Sequence, residues 1–152
     1  MLFASATLPT AYAQSLVFSS GGGPLSLTVN SAVAGSEPID VSDNSTEITW
    51  DGDFGVPGKI TVSTSCPSQA FQLYVLLTIT SWGSGTLGTA QPEIQLTDGM
   101  LDTDIFRDIP TTAPGRQGVG TLTYRAAATV ADGNSAENGD DLHTVTFTLL
   151  AQ

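Results

Sequence analysis

Apolar and polar residues alternate with a period of two along most of the chain, the pattern of strands that bury one face. Segments that read this way are Ser15 to Phe18, Leu25 to Asn30, Glu47 to Trp50, Lys59 to Ser65, Ala70 to Ser81, Glu93 to Thr97, Gly120 to Ala131 and Leu142 to Leu150. Clusters of turn formers separate them: Gly21 to Pro24, Asp51 to Gly58, Trp82 to Gly88, Asp98 with Gly99, Thr111 to Gly118 and Asp132 to Asp141. The pattern predicts an all-β chain, an immunoglobulin-like or jelly-roll-like antiparallel β-sandwich of about 7–9 strands with one short helical turn.

Three segments carry further information. In the last one, Val145, Phe147 and Leu149 share a face and Thr144, Thr146 and Thr148 share the other, which predicts a strand paired deep in a sheet. The segment from Ala70 has Phe71, Leu73, Val75, Leu77 and Ile79 on one parity and Tyr74 and Leu76 on the other, so it is expected to be buried on both faces or to cover a neighbour. Met100 to Ile109 breaks the alternation, because Leu101, Ile105 and Ile109 recur every fourth residue behind Asp102, an N-cap residue type. A single helical turn is expected there, ended by Pro110.

With 152 residues the chain has the size of one ordinary domain, and its 40% apolar content can supply a core. Charged residues make up only 12%. Fifteen Asp and Glu face four cations, Lys59, Arg107, Arg116 and Arg125, for a formal net charge of −11. Nucleic acid is excluded as an expected partner, since phosphate binding needs clustered cations, and an anionic membrane surface is disfavoured for the same reason. No segment approaches the ~20 apolar residues of a membrane-spanning helix.

Residues 1–13, MLFASATLPTAYA, end in Ala11, Tyr12 and Ala13, a small-x-small cleavage pattern, and are read as a truncated signal peptide or an N-terminal extension. Residues 14–152 are read as a single β-sandwich domain, secreted or displayed at the cell surface. Cys66 is the only cysteine, so no intrachain disulfide forms; it continues the parity of Ile60, Val62 and Thr64 and is expected to be buried.

Candidate chemistry is sparse. His143 is the only histidine, on the parity of Val145 and Phe147, and is expected to bond a neighbouring acid, Asp140 or Asp141. No Gly-x-Ser-x-Gly elbow accompanies it, so no enzymatic activity is expected. One His and one Cys fall short of the three or four N and S ligands that zinc prefers. Calcium takes roughly six to eight oxygens, and the segment from Asp132 to Asp141 concentrates them in Asp132, Asn134, Glu137, Asp140 and Asp141. Trp50, at a strand end, and Trp82, beside a Gly-rich loop, are either core lids or stacking surfaces for a carbohydrate.

The layout of residues 14–152, with Gly- and Thr-rich strands, a single Lys and the terminal run His143-Thr-Val-Thr-Phe-Thr-Leu, resembles secreted bacterial immunoglobulin-like fibre subunits, the pilin and spore-coat-U-like group. The resemblance implies an extracellular structural subunit that self-associates into a filament or surface layer, a homo-oligomer or polymer. Independently, a sandwich has edge strands whose free backbone groups must be protected or paired, and strand addition from another chain pairs them. The alternative is a monomeric sandwich module that binds carbohydrate or a surface partner.

Overall fold

The computed structural model describes residues 14–82, 88–132 and 138–152, apart from the side chains of Ser81 and Trp82. Two antiparallel sheets form a β-sandwich. Strands β1 (Gln14–Ser20), β2 (Val41–Gly52), β4 (Gln72–Trp82), β6 (Ile94–Leu96) and β8 (Gln117–Ala127) make the larger sheet, in the order β1-β2-β8-β4-β6. Strands β3 (Gly58–Ser65), β5 (Thr89–Ala90), β7 (Thr103–Ile109) and β9 (Thr144–Ala151) make the smaller one, in the order β5-β7-β3-β9.

The core follows from the alternation. Ile48 and Trp50 of β2, Val75 and Leu77 of β4, Leu96 of β6 and Leu122 of β8 face Ile60 and Val62 of β3 and Ile105, Phe106 and Ile109 of β7. Each such side chain, fully buried, contributes roughly 1.5–3 kcal/mol relative to exposure. Trp50 packs on Phe106 with ring centroids 5.2 Å apart, and Gly118, its register partner on β8, leaves the room that the indole fills. On β4, Leu73, Val75, Leu77 and Ile79 face the core or its margin. Tyr74 on the opposite face lies under the Arg125 guanidinium, 4.0 Å from the ring centroid.

Three expectations are corrected. Met100 to Ile109 holds no helical turn: Thr103–Ile109 is strand β7. Its register against β3 shifts twice, between Gly58 and Ile60 and between Ile60 and Thr61. Such bulges insert extra residues, so Ile105 and Phe106 are both buried and Ile109 rejoins the inner face. A bulged strand thereby mimics a four-residue period. A 3-10 turn lies instead at Val130–Asp132.

Leu25 to Asn30 is not a strand. Gly21 and Gly22, both at positive φ, turn the chain away after β1, and residues 21–40 form a long connection with one bridge, Ala32 to Pro38. Glu37 accepts from the Val130 amide and Asp40 pairs with Arg125, which ties this connection to the domain.

The last strand is not deep in a sheet. β9 pairs with β3 alone among the described strands and forms the edge of the smaller sheet. Alternation reports that one face is buried and is silent about how many edges are hydrogen-bonded.

Candidate functional site

The two long edge strands lie on the same flank of the sandwich. β1 ends the larger sheet and β9 the smaller, and they approach each other where the Phe18 and Phe147 rings meet edge to face at 6.3 Å. Beside that contact lies an open groove of about 290 Å³ lined by Gln14, Ser15, Leu16, Phe147, Thr148 and Leu149. The opposite flank ends in the much shorter β5 and β6, of two and three residues.

Edge strands in monomeric proteins are protected by charge, proline, bulges or shortness. β9 has none of these. Its sequence TVTFTLLA is uncharged and free of proline, and its register with β3 runs unbroken from Gly58↔Ala151 to Ser65↔Thr144. β1, QSLVFSS, is also uncharged, with one register break between Phe18 and Ser20 and with Val17 and Phe18 about half exposed.

The ion pairs draw no residue from β1 or β9. Lys59 and Arg107 share Asp104, Arg116 pairs with Asp51 and Asp53, and Arg125 bridges Asp40 and Glu93. All four cations are thus paired. The hydrogen bond from Arg125 holds the Glu93 carboxyl below its ordinary range. Among the described residues, no helix is long and apolar enough to cross a membrane.

The residues singled out for binding are dispersed. Trp50 is 1% exposed and belongs to the core, so it offers no stacking face to a sugar. Trp82 closes β4 opposite Gly118, and its side chain lies outside the described residues. Of the five calcium candidates, Asn134 and Glu137 also lie outside them. Asp132 accepts from the Thr129 amide at 2.6 Å, a local turn contact. Asp140 is exposed, and Asp141 accepts from the Ala70 and Phe71 amides at 3.0 and 2.7 Å. The Asp132 and Asp141 carboxylates thus serve separate backbone sites.

One grouping was not legible from the sequence. Cys66, Asp141 and His143 bring a sulfur, a carboxylate oxygen and an imidazole nitrogen within 4.8 Å of one another. Cys66 follows β3 and is buried, and its amide donates to Asp98 Oδ1 at 2.7 Å. Burial first, and Asp141 next, push the Cys66 thiol up; burial pushes the His143 imidazole down. Both shifts favour the neutral forms over the thiolate–imidazolium pair. Sequence parity places both residues inward, but only the β3–β9 pairing brings them together.

Comparison of the chain with family models, with curated proteins and with solved structures yields no match. The functional reading therefore rests on geometry.

Proposed function

We propose that the protein is an extracellular structural subunit that self-associates into a filament or surface layer by β-strand addition, with β9 as the acceptor edge and a second copy of the chain as the donor. The observation that carries this reading is the β9 edge itself: eight residues, uncharged, without proline or bulge, and hydrogen-bonded on one side among the described strands. An added strand would pair its free N–H and C=O groups and cover the half-buried Phe147 and Leu149. Two further features support it. The adjoining β1 edge is equally uncharged, and the cations are held in ion pairs with carboxylates to which neither β1 nor β9 contributes a residue. Export, read from Ala11-Tyr12-Ala13, belongs to the same proposal.

Sedimentation of the native chain over a concentration series, with negative-stain microscopy of the heavier fractions, tests it. Concentration-dependent, ordered assemblies are expected. A chain that stays monomeric at millimolar concentration contradicts the reading. The monomeric carbohydrate-binding alternative loses Trp50 as a stacking surface.

A further inference from the structure

Cys66 and His143 are register partners one step beyond the β3–β9 ladder. The last pair is Ser65↔Thr144, so the next antiparallel positions are Cys66 and His143. Cys66 continues the row of Val62 and Thr64, and His143 the row of Val145 and Phe147, which puts both side chains on the core side of the sheet end. Asp141 arrives two residues earlier on the same approach to β9. Its carboxylate is held by the Ala70 and Phe71 amides, which come from the turn after Cys66.

We propose that Cys66, Asp141 and His143 bind one divalent transition-metal ion of the zinc class, with solvent completing a four-coordinate shell. The three atoms lie within 4.8 Å of one another. Ligand atoms around a tetrahedral zinc sit roughly 3.5 Å apart, so the cluster reaches that geometry with contractions of about 1 Å. One thiolate, one imidazole and one carboxylate make a borderline-soft donor set, which suits zinc and its neighbours and is poor for calcium, an ion that takes oxygen ligands.

Backbone contacts give the site the outer support that metal ligands require. The Ala70 and Phe71 amides fix the carboxylate and leave it lone pairs to share. The Cys66 backbone is itself held by Asp98. The buried Nδ1 of His143 has no hydrogen-bond partner among the described residues, a cost that ligation would remove. On binding, the thiol gives its proton to buffer, and the ion cross-links the end of β3 to the start of β9.

Cobalt(II) alone, titrated into the purified full chain, reads the site directly. One equivalent should bind with a thiolate-to-cobalt charge-transfer band in the near ultraviolet, and zinc should displace it. Zinc at ~100 times its Kd should raise Tm by about 5–10 °C. Cys66→Ala should abolish the band, and His143→Gln should weaken binding at least tenfold. His143 is only half-buried, so its variant keeps the test decisive if Cys66→Ala does not fold. Asp141 is left intact because it also carries the two backbone amides. No thiolate band with cobalt in excess, or an unchanged affinity in His143→Gln, overturns the proposal.

Discussion

Gly118 shows how tightly the core specifies single residues. A Cβ at that position would lie 2.3 Å from the Trp50 ring, and the indole is wedged between this strand and Phe106. Gly118→Ala is expected to cost about 1–3 kcal/mol, seen as a lower urea midpoint with an unchanged slope. Glu93 offers a test at the surface. Its folded-state pKa is depressed from the ordinary 4.5 chiefly by the Arg125 hydrogen bond, so its contribution is present above about pH 4.5 and is lost as pH falls through the lower folded value. The pair is partly exposed, which limits that contribution to below about 1 kcal/mol. Glu93→Gln should therefore lower stability by up to about 1 kcal/mol at neutral pH and flatten the profile below pH 4.5, where the difference from the parent disappears, as read by urea midpoints across the acid range. At this scale the sequence is a good guide to burial. Cys66 and the inward rows of β2, β3 and β4 are legible from parity alone, because a strand has only two faces.

Elements are legible where the ladder is regular and misread where it is not. The two register shifts of β7 bring Ile105 and Ile109 both inward, four residues apart as in a helix, whereas Leu101 precedes the strand and is 75% exposed against 2% for Ile105. The bulged strand predicts unequal consequences: Ile105→Ala should cost about 2–5 kcal/mol, and Leu101→Asp should stay within about 0.5 kcal/mol. Similar losses at both positions would favour a helical turn with a shared apolar face. β9 was misplaced for a different reason. Its Thr and apolar rows identify its faces, and pairing partners are a non-local property that one strand's pattern does not carry. The same limit hid the Cys66–His143 pairing, since both residues are visible in the sequence and their adjacency is set by register. If β9 is the acceptor edge, Thr146→Lys with Thr148→Lys should reduce self-association at least tenfold while the monomer's Tm stays close to the parent's, because both side chains lie on the exposed face.

The whole molecule combines a net charge of −11 with two neutral edges on one flank. Copies repel at long range and can pair at short range, so added salt should promote assembly. Light scattering at fixed protein concentration is expected to rise between about 0.05 and 0.5 M NaCl as the Debye length shrinks from above 10 Å to a few Å. Contact through exposed ion pairs would weaken over the same interval. The sandwich and most of its core are legible from alternation and turn chemistry, whereas the open flank emerges only once strand order is known. Hydrogen–deuterium exchange of the β9 amides, measured below and above the concentration at which assemblies form, tests the central claim most directly. Strand addition predicts that the amides of β9 not bonded to β3 slow at least tenfold in the assembled state. Assemblies in which those amides exchange as fast as in the monomer would contradict it.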